Sequence, residues 1–553
     1  MMRRSLFRAG LLAASIGLLS APDAFSQATR PRLLVIISID QFRPDYLQRF
    51  RPYFGPGGFN LLLSQGAEFS QAQYEYSITQ TCPGHAVILT GSYANKNGIV
   101  ANTWYNPALR RAEYCAADTA AKLIGASSEG RSPRNLRDST VGDELKRATG
   151  GRSRVIAIAG KDRSAIMMGG HLADAAYWTE DTVVASSTYY MKELPPYVSR
   201  FNSSGAISKY QGRSWDHVLP AAAYSIAGPD NVAAEEDPGG MGRTFPHRLA
   251  TGASSKSFIE GFETSPFENE VLVDFAMEVV RAEHLGGDED PDLLAIGFSA
   301  NDLVGHSYGP DSHEMMDITI RTDRLLERFF TFLMQQVGRD NLVIALTADH
   351  GVASLPELLR ARRPSTDAGR IDPVVIADAA EQALRLRFGT PRAPGWLERP
   401  NWIMNQSWPF LYLNLPALED RGVKLEDAEL VAKRAVQAVP GVAQVLTSAE
   451  LAQQRAGGNH SRSELSYDPE RSGHVFYVLA PYLLPSARPE GTTHGSPWTY
   501  DTHVPLLLFG SGIKPGRYGE VVGVADLAPT LSTLLGIPAP NESQGRVLRE
   551  ALR

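Results

Sequence analysis

Cysteine is nearly missing from this chain. Only Cys82 and Cys115 occur in 553 residues, too few for folding to rest on a disulfide framework. Sequence does not give the distance between them, so one bridge and two separate buried thiols both stay open. An excess of charge of one sign is missing too. Lys and Arg number 54 against 61 Asp and Glu, a net charge of -7 with the signs well mixed. No basic field is left for gripping a nucleic-acid backbone, so a small anionic ligand has to be held by local residues. Long hydrophobic runs are also absent: nothing approaches the roughly 20 apolar residues that a membrane-spanning helix needs. The apolar stretch at residues 11–19 follows Met1-Met2-Arg3-Arg4 and precedes Ser26-Gln27-Ala28. That pattern predicts an export signal over residues 1–28 and a periplasmic or secreted protein. The Arg3-Arg4 pair leaves the general and twin-arginine export routes both open.

What the chain does have is a series of short β-branched or leucine-rich runs, at residues 33–39, 155–159, 293–298, 342–347 and 504–509. They have the composition of strands buried on both faces in a parallel sheet. Helical patterns lie between them. In residues 317–337, for example, Ile320, Leu325, Phe329, Phe330 and Leu333 form one apolar face. The alternation predicts a doubly wound, mostly parallel α/β sheet flanked by helices. Residues 29–360 and 485–553 form the expected core, with an insertion at about 184–262 that lacks a sustained period. Residues 361–484, with helical patterns at 373–388 and 425–439, form the expected small α+β cap.

In such a sheet, ligands gather beyond the carboxyl ends of the strands, and that is where the acidic residues and histidines fall. Asp40 follows the first run, Asp302 and His306 follow the third, and Asp349-His350 follow the fourth. A glycine-flanked loop adds His494, favoured as a ligand over nearby His503, which can bond to structure instead. Hard carboxylates mixed with imidazoles and no thiolate suit a pair of catalytic zinc ions rather than a structural zinc cluster. In Thr81-Cys82-Pro83-Gly84-His85, proline opens a helix whose free N–H groups suit a phosphate oxygen. Thr81 is the candidate nucleophile, with Thr79 and Cys82 as competitors, and it needs a metal or base to lose its proton. His85 is expected to be structural.

Taken together, Asp40, Thr-x-Pro-Gly-His at Thr81, Asp-x-x-Gly-His at Asp302, Asp349-His350-Gly351 and Thr493-His494-Gly495 resemble, in order, the bimetal motifs of the alkaline phosphatase superfamily. The resemblance runs over nearly the whole chain past the signal. It is strongest to bacterial threonine-nucleophile alkaline phosphatases, which are similar in core to nucleotide pyrophosphatase/phosphodiesterases. It implies that Asp302, His306 and His494 hold one zinc, while Asp40, Asp349 and His350 hold the other, with Thr81 bridging towards it. It also implies that Asn102, Lys161, Arg163 and the Cys82 backbone N–H contact the phosphate of a small monoester. The two cations match the extra charge that a monoester carries over a diester; the alternative is a solvated basic turn. The rival functions are a phosphodiesterase or nucleotide pyrophosphatase on the same metals and a non-catalytic phosphate-binding protein. A sulfatase is disfavoured, because Cys82 is followed directly by Pro83.

Overall fold

The computed structural model describes residues 30–252, 255–391, 401–456 and 461–553; the expected export signal, residues 1–28, lies outside them. Among the described residues no helix is long and apolar enough to cross a membrane.

The apolar runs form the middle of an eleven-stranded mixed sheet. Its central strands are β1 (Leu33–Ile39), β2 (Val155–Ala159), β3 (Ala175–Glu180), β4 (Asp292–Phe298), β5 (Leu342–Thr347) and β6 (Leu506–Gly510). They lie side by side in the order β6-β5-β1-β4-β2-β3. Pairing is parallel from β5 through β3. Every residue of β1, β2, β4 and β5 is buried, as expected of strands covered by helices on both faces.

One expectation needs correcting. The run at 504–509 was read as a further parallel strand, but β6 pairs antiparallel with β5. An all-apolar run reports burial on both faces, and burial is the same whichever way the strand points.

Four helices matter for the site: α1 (Thr81–Thr90), α2 (Asp162–Gly169), α3 (Ala300–Tyr308) and α4 (His313–Gln336). α1 begins at Thr81 rather than at Pro83, so Thr81 belongs to the helix's first turn. Cys82 and Cys115 form a disulfide, tying that turn to the end of the hairpin made by Thr103–Asn106 and Arg111–Tyr114.

Residues 184–262 contain only short elements. Part of this stretch is pinned to α4 by Asp317, which accepts hydrogen bonds from Trp215 Nε1 and the Val218 N–H at 2.7 Å each. Residues 361–484 include a four-stranded sheet and the helices Pro373–Phe388 and Leu425–Gln437. They carry an apolar core of their own, around Trp402, Leu411, Ala432 and Tyr477.

Candidate metal centre

Because β5, β1, β4 and β2 are parallel neighbours, their carboxyl ends open onto one place. Asp40 leaves β1, Asp349 and His350 leave β5, Asp302 and His306 sit on α3 just beyond β4, and Lys161 precedes α2 just beyond β2. The His494 loop closes over this point. Three carboxylates therefore meet where water is scarce: Asp40, Asp302 and Asp349 are at most 2% exposed. Mutual repulsion and desolvation make such a cluster untenable without cations. One cation is a residue of the chain. Lys161 Nζ lies 2.7 Å from Asp40 Oδ2 and 2.5 Å from Asp302 Oδ2; burial opposes its charge, but Asp302 and Asp40 raise its pKa overall.

The histidines are oriented as metal ligands should be. In each, Nδ1 is paired with a backbone carbonyl: His350 with Gly351 O at 3.0 Å, His306 with Thr492 O and His494 with Thr79 O at 2.7 Å each. An Nδ1–H donated to a carbonyl fixes the tautomer that leaves the Nε2 lone pair free for a metal. Those Nε2 atoms face the carboxylates. His306 Nε2 is 3.2 Å and His494 Nε2 3.6 Å from Asp302 Oδ1. His350 Nε2 is 3.2 Å from Asp349 Oδ2 and 3.5 Å from Asp40 Oδ1. Asp40 Oδ1, Asp349 Oδ2 and His350 Nε2 are all buried without a hydrogen-bond partner. That donor set fits divalent cations. Ligand atoms of Asp302, His306 and His494 lie within 4.8 Å of one another, as do those of Asp40, Asp302 and His350. Asp302 thus belongs to both groups, whereas the family resemblance implies that it holds one ion.

Charge is unevenly shared. Burial, with Asp302 and Asp349 nearby, pushes Asp40 up to about 7. Burial also works against the Asp349 carboxylate, but His350 and His85 hold it well below the usual range. His350 rises to about 9, because Asp349 and Asp40 outweigh its burial. His494 is held far below the ordinary histidine value by burial and by the charge of His350.

Thr81 is 1% exposed and is bracketed by the centre. Two residues before it, the Thr79 carbonyl holds His494; four after it, His85 Nδ1 lies 2.9 Å from Thr81 O and 3.2 Å from Asp349 Oδ2. At Gly84 a Cβ would sit 2.3 Å from Asp349 O, so glycine is what lets α1 approach so closely. The competing nucleophiles are engaged elsewhere: Thr79 Oγ1 donates to Ser496 O at 2.9 Å, and Cys82 Sγ is in the disulfide. His503 faces away from the centre, its Nε2 lying 3.0 Å from Ser70 O.

The Cys82 N–H, expected to meet a phosphate oxygen, donates instead to Asn102 Oδ1 at 2.8 Å. An amide side chain at this distance satisfies the orphan N–H of the first turn better than the bare helix start does. Asn102 is further fixed by its own N–H to Gln80 Oε1 at 2.8 Å and by Cys115 N–H to its carbonyl at 3.0 Å. Arg163 has a buried Nε with no hydrogen-bond partner. It lines, with Lys161, Tyr114, Trp178 and Glu263, a cavity of about 410 Å³.

Sequence reasoning missed Gln41. It has φ 64°, a region that a non-glycine residue occupies only when its surroundings enforce it. Its N–H donates to Asp349 Oδ1 at 3.1 Å and its Nε2 to Asp302 Oδ1 at 2.7 Å, so it links two candidate ligands. The only signal for it was adjacency to Asp40. A Cβ at Gly305 would run into Gln41 Oε1, which accounts for the glycine between Asp302 and His306.

Known proteins are similar to this chain in sequence and fold. Residues 34–500 match the family described as type I phosphodiesterase / nucleotide pyrophosphatase. Alkaline phosphatase PhoV of Synechococcus elongatus is 34% identical over 550 residues, covering 96% of this chain and 95% of that protein. Alkaline phosphatase PafA of Elizabethkingia meningoseptica is 32% identical over 551 residues, covering 98% of each. The crystal structure of wild-type PafA superposes with a TM-score of 0.87 at 32% identity, over 95% of this chain and 99% of that one. The chain belongs to the type I phosphodiesterase / nucleotide pyrophosphatase family of the alkaline phosphatase superfamily, alongside relatives that are alkaline phosphatases.

Proposed function

We propose that this protein is an exported alkaline phosphatase that hydrolyses small phosphate monoesters through a phosphothreonine at Thr81, with two zinc ions as cofactors. The observation that carries the reading is the meeting of three buried carboxylates with three histidine Nε2 atoms beside the first turn of α1. Asp302, His306 and His494 would hold one ion, and Asp40, Asp349 and His350 the other, with Asp302 within reach of both. When bound, the ions supply the Lewis-acid charge that makes the Thr81 hydroxyl acidic and stabilises a departing alkoxide.

The chain's own groups do the rest. Thr81 Oγ1, its proton passed to solvent, attacks phosphorus in line as the ester P–O bond breaks, and the leaving alkoxide takes a proton from water. A water molecule then displaces Thr81, giving inorganic phosphate with net retention at phosphorus. Because Asn102 Oδ1 is occupied by the Cys82 N–H, its Nδ2 is the end left to donate to a phosphate oxygen. Lys161 and Arg163 add charge-assisted donors matched to a monoester's free oxygens.

The family description favours a second reading, in which a diester or pyrophosphate is the substrate. Turnover of p-nitrophenyl phosphate and bis-p-nitrophenyl phosphate by the purified protein, with its zinc content measured, separates the two. A higher kcat/KM for the monoester supports the proposal, and a higher value for the diester overturns it.

A further inference from the structure

Apart from the residues just described, a second group of metal-type ligands converges at the start of α4. Ligand atoms of His217, Asp230 and His313 lie within 4.8 Å of one another. His217 and Asp230 come from the irregular stretch 184–262, and His313 is the first residue of α4. We propose that these three residues form an additional zinc site, sharing no ligand with the candidate centre, that clips this stretch to the core.

The geometry favours a metal over a plain ion pair. His313 Nε2 lies 3.0 Å from the Gly228 carbonyl. That contact assigns the proton to Nε2 and leaves Nδ1 as the lone-pair atom, as the outer partners of zinc-bound histidines do. His313 Nδ1 is buried and makes no hydrogen bond, although Asp230 Oδ1 is 3.4 Å away. A charged pair should bring a donated proton closer than that, while 3.4 Å is about the spacing of two ligands on one tetrahedral zinc.

His217 Nε2 is likewise buried without a partner. Its ring is held between Tyr224 and Phe245, with centroids 4.1 and 3.9 Å away. Two unpaired imidazole nitrogens and one carboxylate are a zinc-type donor set, with a water completing the shell. The flanking structure is rigid already. Asp317, one turn along α4 from His313, accepts from Trp215 Nε1, the Val218 N–H and the Tyr224 hydroxyl. Little further ordering is needed for the ligands to close on an ion.

The test is anomalous scattering at the zinc edge from crystals of the full chain, grown after zinc loading and desalting. It is paired with elemental analysis of wild type, His217→Gln and the milder Asp230→Asn. The expected result is an anomalous peak bounded by His217, Asp230 and His313, and a loss of one zinc per chain in both variants. Both variants should keep wild-type circular dichroism, which separates a lost ligand from a lost fold. No peak at that position, or variants that retain the wild-type zinc content, would overturn the proposal, whatever is found at the Asp40–Asp302 centre.

Discussion

His350 is fully buried, whereas His306 leaves 29% of its side chain exposed, although both imidazoles lie within reach of one carboxylate, Asp302. The half of the centre around Asp40, Asp349 and His350 is assembled from adjacent parallel strands. Its histidine is oriented by a carbonyl in its own turn, Gly351. Forming the sheet therefore nearly forms this half. The half around Asp302, His306 and His494 depends on distant segments. His306 is oriented by Thr492 and His494 by Thr79, and His494 reaches the site only after the chain has passed through residues 361–484. One half is thus a product of strand pairing and the other of tertiary closure, and Asp302 serves both.

The largest expected effect comes from breaking the shared member. Asp302→Ala should strip metal from both halves and lower kcat/KM by about a thousandfold or more, the scale of losing several kcal/mol of Lewis-acid stabilisation. Elemental analysis and turnover on one monoester check this; loss of only one ion would place Asp302 in a single half, and retention of full metal content would remove it from both. A smaller effect is expected from breaking either half alone. His494→Ala and His350→Ala should each lose the ion of their own half and keep the other, with activity down by on the order of a hundredfold or more. Crystals of the two variants at the zinc edge would show which peak disappears, and loss of both peaks in either would mean that the halves fold as one.

Much of this was legible in the sequence, because the central strands announce themselves as apolar runs and the chemistry sits at their carboxyl ends. Asp40, Asp302 with His306, and Asp349-His350 are visible by that rule alone. What was not legible depends on direction or on long-range contact. The orientation of β6 leaves no trace in composition. Gln41 matters through a backbone twist and two bonds, to Asp302 and Asp349, which lie hundreds of residues away. His85, expected to be merely structural, touches the Asp349 carboxylate. Asn102 Oδ1 takes the Cys82 N–H through a contact set by the hairpin fold, and the pairing of Cys82 with Cys115 needed a distance.

The substrate side of the comparison is sharpened by Lys161→Ala/Arg163→Ala. It should depress monoester kcat/KM more than diester kcat/KM, with each lost charge-assisted contact of about 1.5 to 3 kcal/mol corresponding to roughly tenfold to a hundredfold. Equal losses on the two substrates would assign the pair to structure or general phosphate binding.

The smallest effect concerns protons. Without metal, His350 holds its proton up to about 9 and Asp40 up to about 7, two protons to lose, whereas in the other half His494 is already neutral and only His306, raised by Asp302, has one. Metal needs the deprotonated ligands, so affinity at the strand-built half should climb as pH rises from about 6 to 9, more steeply than at the other half. Zinc titration calorimetry of His494→Ala against His350→Ala across that range measures the two slopes; equal slopes would mean that the halves share their protons.

The most direct test of the central claim is acid quenching of the zinc-loaded enzyme during turnover of a monoester, followed by peptide mass spectrometry. The account predicts a phosphate on Thr81 in the wild type and none in Thr81→Ala at unchanged metal content. A phosphate trapped on another residue, or undiminished turnover in Thr81→Ala, would contradict it.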